Sequence, residues 1–559
     1  MHILHNHLGY LPKASKVALL QAEGTPQAEH FVLIDASTRG VVHEGRLAPL
    51  GRVANWRNWQ YWSLDFSAVE RPGRYVLAIP GGALPVQSEA FEISPSLYDG
   101  QLISNLVHYF KSQRCTGIFD QADRHCRKLS TDERVDVHGG WYDASGDASK
   151  YLSHLSYANF MNPQQTPLVV WHLADGRARM PQQSVWLDER MVDEALHGAD
   201  FLARMQDASG CFYMTVFDRW SKDIGQREIC SYETQQGHKY ASWQAGFRQG
   251  GGMTIAALAR ASRLPRDGEF PRAHYLAAAA RGFAHLARHN ADYLGDGAEN
   301  IIDDYCALLA ATELYAATDD AQYATAAEQR ARALLAKQDK AGWFWADAAR
   351  TRSFFHAADA GLPYIALMRY AEVAGSTELT ITAEAAVQAA LDFDLINARL
   401  ELGNPFGYPR QHVEMPGRAG ALRFFIPHDN ESGYWWQGEN ARLASLAAAA
   451  FMAAGRSPAA RAANLRRFAH GTLDWLFGRN PFDACMMQGQ GHHNPQYEKG
   501  YFNAPGGVCN GITAGLDDED DIDFRMPADT VPTHSWRWSE QWLPHAAWLY
   551  LALAHAMAS

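Results

Sequence analysis

The chain has 559 residues, 47% hydrophobic and 20% charged, with 62 acidic against 50 basic side chains and a formal net charge of −12. That length exceeds one ordinary core and the composition is that of folded globular proteins, so two or more domains are expected and a disordered chain is excluded. The acidic balance argues against nucleic-acid or anionic-membrane partners, because both need clustered positive charge.

The first ~95 residues carry short runs rich in Val, Leu, Tyr and Phe. Val17–Gln21, His30–Asp35, Gly40–Glu44, Trp59–Asp65, Gly73–Ile79 and Ala90–Ser94 are predicted strands, separated by turns such as Arg71-Pro72-Gly73. Strands this short and this evenly spaced predict an all-β sandwich over residues 1–95. After Ser94-Pro95-Ser96 the texture changes to long Ala- and Leu-rich stretches, so a second, mainly α domain is expected over residues 96–559.

Apolar residues at three-and-four spacing predict helices over Asp188–Met205, Gly251–Ser262, Ala273–Arg288, Asp304–Ala317, Ala321–Lys337, Leu362–Ala374, Thr382–Leu395, Asn440–Ala454, Ala459–Leu476 and Leu543–Ala558. Met205–Phe212 echoes Lys337–Phe344, each with Gln-Asp followed by Gly and an aromatic, which predicts two helices ending in the same C-cap and loop. Ten or more such helices suggest a toroid of helical hairpins, with a bundle as the alternative that periodicity cannot separate from it.

Seven cysteines, an odd and sparse set, fit reduced thiols better than a disulfide framework. The N-terminus has no basic region followed by an apolar stretch, and no apolar run reaches the length of a membrane span, so a cytoplasmic location is expected; a chain whose leader had been removed would read the same way.

Chemistry-bearing residues concentrate between helices. His138-Gly139-Gly140-Trp141-Tyr142-Asp143-Ala144-Ser145-Gly146-Asp147 places two carboxylates in a Gly-rich, aromatic-flanked loop. Paired acids can hold and deprotonate one water; the same residues also make helix caps and calcium loops. Gly489-Gln490-Gly491-His492-His493-Asn494 offers hydrogen-bond donors to sugar hydroxyls, metal ligands or turn caps. In Trp536-Arg537-Trp538-Ser539-Glu540-Gln541-Trp542, a carboxyl among tryptophans has surroundings that raise a pKa, as a general acid requires, although a Glu before the last helix also suits the helix dipole.

Taken together these segments resemble glycoside hydrolase family 9, and the resemblance spans nearly the whole chain. Asn6-His7-Leu8-Gly9-Tyr10-Leu11-Pro12 resembles the start of its immunoglobulin-like domain. Gly139–Asp147 resembles its Gly-Gly-Trp-His/Tyr-Asp-Ala-Gly-Asp signature, Gly478-Arg479-Asn480-Pro481 and His492-His493 its Gly-Arg-Asn-Pro and His-His-Arg elements, and Ser539-Glu540 its Asn-Glu acid motif. The resemblance implies an (α/α)6 barrel behind the sandwich and an inverting enzyme that acts on β-1,4-linked sugars without a required cofactor. It implies Asp147 as base, Asp143 as partner in holding the water and Glu540 as acid, with acid and base roughly 6.5–9.5 Å apart. Trp141, Tyr142, His492 and His493 would line the sugar site, with Trp435, Trp436 and Trp538 as further sugar-binding candidates.

Three departures fall in the site. Three residues rather than two separate the aspartates, His-His-Arg has become His492-His493-Asn494, and Asn-Glu has become Ser539-Glu540. The Asp-Ala-Ser-Gly-Asp form resembles the branch with exo-β-D-glucosaminidases, so chitosan-type or cello-oligosaccharides are the expected substrates, with an endo-β-1,4-glucanase as the runner-up and a non-catalytic carbohydrate-binding protein as the alternative from another class. Asp429, Glu431 and Glu439 are candidates for meeting a sugar amine. Cys115, His125, Cys126 and His138 offer zinc-type ligands and Asp517–Asp523 calcium-type ones, but buried unpaired thiols and a solvated acidic loop are the readings preferred. Oligomeric state is left open.

Overall fold

The computed structural model describes residues 1–53, 55–81, 85–181, 183–233, 236–400, 403–433, 436–501 and 503–558. Two sheets form first. Strands β1 (His2–Leu4), β3 (Val17–Ala22), β6 (Ala48–Gly51) and β7 (Gln60–Asp65) pair in the order β1-β3-β7-β6. Strands β2 (Gly9–Tyr10), β4 (His30–Asp35), β5 (Val41–Arg46), β8 (Gly73–Ile79) and β10 (Phe91–Ile93) pair in the order β2-β10-β8-β4-β5, with β9 (Val86–Gln87) on β8. In β4 the alternation puts Phe31 and Leu33 inside while His30, Val32 and Ile34 point outward, and these join Leu20, Leu64, Tyr75 and Leu77 in a core separate from the rest of the chain.

Strand gives way to helix between Ile93 and Gly100. Helix α1 (Gly100–Ser112) is capped by the Asp99 carboxylate on the amides of Gln101 and Leu102, and α2 (Gly117–Asp123) follows. Six helical hairpins then build the second domain. Helices α3 (Thr166–Arg179), α5 (Gly252–Ala261), α7 (Ile301–Thr318), α9 (Leu362–Ala374), α11 (Asn440–Ala454) and α14 (Leu543–Ala558) touch in that cyclic order, and α14 closes back on α3. Outside them, α4 (Val185–Arg204) packs on α3, α6 (Arg272–Tyr293) on α5, α8 (Ala321–Leu335) on α7, α10 (Glu378–Asn397) on α9, α12 (Ala459–Leu476) on α11 and α1 on α14. This is an (α/α)6 barrel. The physical sorting is by burial: the inner α14 is buried at every position from Leu543 to His555, whereas the outer α6 buries one stripe and leaves the rest to water.

The two echoed segments form the same turn. Asp207 N–H donates to Cys211 O at 2.8 Å and Asp339 N–H to Trp343 O at 2.7 Å, while the Gln206 and Gln338 amides reach Gly210 O and Gly342 O. Gly210 and Gly342 both have φ near 100°, and a Cβ on Gly342 would fall 2.3 Å from Ala389 O, so a side chain cannot be accommodated there.

Within the acidic run at 517–523, Asp517, Asp518 and Asp520 are exposed, as a solvated loop requires, while Glu519 and Asp523 make ion pairs. Asp523 pairs with Arg57 of the sandwich and with Arg525, and Glu519 takes Arg418 and Arg423 from the hairpin Gln411–Met415/Arg418–Arg423. No described helix is long and apolar enough to cross a membrane.

Candidate active site

The segment between α2 and α3 carries Asp143 and Asp147. Glu540 lies between the short helix α13 (Pro532–Ser539) and α14, so the closing of the barrel brings residues some 400 positions apart together. The contact is specific. Ser145 N–H donates to Gln541 O at 2.9 Å, Gln541 N–H donates to Ser145 Oγ at 3.1 Å, and Ala144 bridges to Trp542. Leu543 N–H, an unpaired donor of the first turn of α14, is taken by Asp143 O at 3.1 Å.

Both aspartates are buried. Asp143 Oδ1 accepts from Trp542 Nε1 at 2.9 Å. Asp147 accepts at both oxygens, from Ser149 N–H at 2.7 Å and from the Tyr151 hydroxyl at 2.8 Å. Burial and then repulsion from Asp147 push Asp143 well above the usual carboxylate range; burial and then Asp218 raise Asp147. Glu540 is also pushed well up, by burial first and then by Asp143 and Asp147. Three acids that repel one another cannot all ionise readily at neutral pH, so the cluster retains a proton. The arrangement can therefore offer one carboxylate as base and one carboxylic acid as proton donor.

A buried ion cluster fixes the loop from beneath. Asp123 pairs with Lys150 Nζ at 2.7 Å and Arg227 Nε at 2.6 Å, Lys150 also donates to Val137 O and Gly139 O, and Arg227 donates to Ala148 O at 2.7 Å. The same cluster occupies the surroundings of the proposed zinc ligands. Cys115 and Cys126 are buried free thiols whose sulfurs face Asp123 and Arg227, and His138 turns to Asp136 at 2.6 Å, so Cys115, His125, Cys126 and His138 do not converge.

The aromatic candidates are placed differently from expectation. Trp141 is fully buried, donating to Glu194 Oε1 at 2.7 Å beside Gly198 of α4, so its ring is core and not a sugar platform. Tyr142 points the other way along the strand-like segment and exchanges hydrogen bonds with the Thr116 backbone. Trp436 is buried with its ring stacked on His428 at 3.8 Å, and Trp538 is buried and donates to Thr513 Oγ1, so neither presents an open face. Trp435 lies outside the described residues. His492 and His493 are drawn to Asp483 and to His7 of the sandwich instead of to the carboxylates. Among the candidates for an amine, Glu431 is paired with Arg352 and Glu439 with Arg442, which spends their charge.

Five residues that sequence reasoning did not single out stand at the cluster. Ser149 Oγ donates to Asp218 at 3.1 Å, which links that buried acid to Asp147, and Tyr151 supports Asp147 directly. The Tyr497 ring and Glu540 Oε1 both flank Gly146, at 3.2 and 3.3 Å from where a Cβ would sit. Tyr109 of α1 is near enough to feel Asp143 and Glu540, and its buried hydroxyl has no hydrogen-bond partner among the described residues. A lone Tyr, Ser or Asp carries no spacing signal, so only folding reveals them.

The architecture is thus a β-sandwich ahead of an (α/α)6 barrel, with three acids gathered where α14 meets the segment after α2. The chain belongs to glycosyl hydrolase family 9: the family's profile matches residues 100–499, and the cellulase N-terminal Ig-like domain matches residues 1–83. Among curated proteins it is 25% identical over 221 residues to a xyloglucan-specific endo-β-1,4-glucanase of Bacteroides ovatus and 26% identical over 240 residues to a cellodextrinase of Butyrivibrio fibrisolvens. Those alignments span 36% and 38% of this chain and 36% and 39% of the relatives, so the chain matches little more than a third of their length. A metagenome-derived family 9 endoglucanase shares the fold over 100% of this chain and 99% of its own at a TM-score of 0.71 and 20% identity. The family 9 endoglucanase J30 does so over 98% and 99% at 0.67 and 19%.

Proposed function

We propose that the protein is an inverting glycoside hydrolase that cleaves β-1,4-linked glucans or cello-oligosaccharides, with no cofactor in the reaction. The observation that carries this reading is the placement of Glu540 against Asp143 and Asp147 by the Ser145–Gln541 hydrogen bonds. Asp147, with a donor on each oxygen, is the carboxylate more easily held ionised and serves as base. Asp143 shares the water, and Glu540, whose pKa is raised by burial first and then by Asp143 and Asp147, protonates the departing glycosidic oxygen.

The relatives support glucan over glucosaminide: their names give an endo-β-1,4-glucanase and a cellodextrinase, which favours the runner-up expectation over an exo-β-D-glucosaminidase. Of the three amine candidates, Glu431 and Glu439 are paired with arginines, whereas Asp429 is exposed, so this set does not favour either sugar. Incubation with cello-oligosaccharides, xyloglucan and chitosan oligomers tests both points, with NMR following the anomer first released. Glucan cleavage with release of the α-anomer is expected. Cleavage of glucosamine oligomers alone would restore the glucosaminidase reading, and release of the β-anomer would remove inversion.

A further inference from the structure

Glu540 stands on extended backbone (φ −67°, ψ 136°) between α13 and α14. Side chains alternate there: Ser539 and Gln541 are buried, while Glu540 between them is only half-buried. The acid is therefore aimed by the grip on its two neighbours. The Gln541 side-chain amide takes the Ala504 backbone with both ends, accepting from its N–H at 2.8 Å and donating to its O at 2.9 Å. The Asn503 amide donates to Ser539 O at 2.9 Å and to Pro495 O at 3.1 Å, and its Oδ1 accepts from Ser145 Oγ at 3.2 Å. Ser145 Oγ in turn accepts from Gln541 N–H at 3.1 Å. These contacts close a ring: Ser145 to Asn503, Asn503 to Ser539, along the chain through Glu540 to Gln541, and back to Ser145.

From this ring we infer that Asn503 is a positioning residue for the acid step, holding Glu540 against the aspartate loop by tying Ser539 to Ser145. The inference rests on the glycosidase reading above and adds a residue that reading does not use. Both N–H donors of Asn503 and its carbonyl oxygen are engaged, so one side chain sets the distance between the two segments. The same loop lays Tyr497 beside Gly146, a second point of contact with the aspartate loop. The aspartates themselves do not depend on Asn503: Asp143 is held by Trp542, and Asp147 by Ser149 and Tyr151. Loss of Asn503 is therefore felt at the acid, whose proton must reach the glycosidic oxygen within hydrogen-bond range.

The test uses the full chain and two substrates, cellotetraose and 2,4-dinitrophenyl β-cellobioside, whose leaving group departs without a proton. On cellotetraose, N503A should lose about 10–100-fold in kcat with KM and melting midpoint close to wild type, as a misplaced reacting group costs rate more than binding. On the aryl substrate the loss should shrink to within about threefold. N503D keeps the acceptor for Ser145 but loses the donor to Ser539, and should behave as N503A does. In an E540Q background N503A should add no further loss on cellotetraose, because the two act as a unit. Equal losses on both substrates, or additive losses with E540Q, would make Asn503 a general support of the fold. A wild-type rate for N503A on cellotetraose, with E540Q impaired, would overturn the role of Asn503 alone. A wild-type kcat in E540Q would remove the acid assignment and this inference with it.

Discussion

Ser145 and Gln541 are joined by two backbone-anchored hydrogen bonds, Ser145 N–H to Gln541 O at 2.9 Å and Gln541 N–H to Ser145 Oγ at 3.1 Å. Ser145 sits between the two aspartates, and Gln541 is the neighbour of Glu540. The residues that make the aspartate loop one longer than the family signature therefore join the loop to the segment that carries the acid. Replacing Ser145 with Ala removes the side-chain half of that link, worth about 1 kcal/mol. Small errors in position at reacting groups are costly, so a fall in kcat of about tenfold is expected with KM and melting midpoint nearly unchanged. A loss of stability without a loss of kcat would deny the loop this positioning role.

The acid and base variants should separate by pH. E540Q and D147N should each lose about 10²–10⁴-fold in kcat on unactivated substrates. In the wild type the rate should fall at alkaline pH as Glu540 loses its proton, because burial, Asp143 and Asp147 raise its pKa well above the ordinary value. E540Q should lack that alkaline limb, which a pH profile of the residual rate on a substrate with an activated leaving group reads directly.

The same shift has a stability consequence. Asp143, Asp147 and Glu540 have raised values in the fold, so the native state binds more protons than the unfolded chain at pH above about 4. Stability from these groups is present at low pH and is lost as pH rises towards their folded values. Scanning calorimetry should find E540Q and D147N more stable than wild type near pH 8, with the gap closing towards pH 4. Equal midpoints at both pH values would mean the carboxylates are not strained together.

Beneath the loop, Asp123 is the common partner of Lys150 and Arg227, and all three are buried. Asp123→Ala strands two cations in the interior and should cost about 3–5 kcal/mol, read as a lower denaturant midpoint or as insoluble protein. A variant with wild-type stability would show that water reaches the cluster.

Trp141→Phe tests core against sugar platform. Loss of the 2.7 Å bond to Glu194 leaves a buried acceptor with only Arg114, which should cost about 1–3 kcal/mol of stability with little change in KM. A large rise in KM at unchanged stability would return Trp141 to the substrate.

Much of this fold was legible in one dimension because its signals are local. Alternation delimited His30–Asp35 and Gly73–Ile79, and three-and-four spacing delimited Leu362–Ala374, Asn440–Ala454, Ala459–Leu476 and Leu543–Ala558, all as found. Helices α1 and α3 were not among the predicted helices. The acids of the candidate site came from ordered motifs. The aromatic and histidine assignments did not carry through, because residue type says that a ring is apolar but not which neighbours cover it. Trp141, Trp436 and Trp538 found partners in the core, and His492 found His7 from the other end of the chain. By itself the sequence determined most of the elements and the order of sandwich and barrel, and it nominated the three carboxylates. Only the tertiary structure decided what those carboxylates face, since their raised proton affinity comes from burial and from one another's charge across some 400 residues of chain.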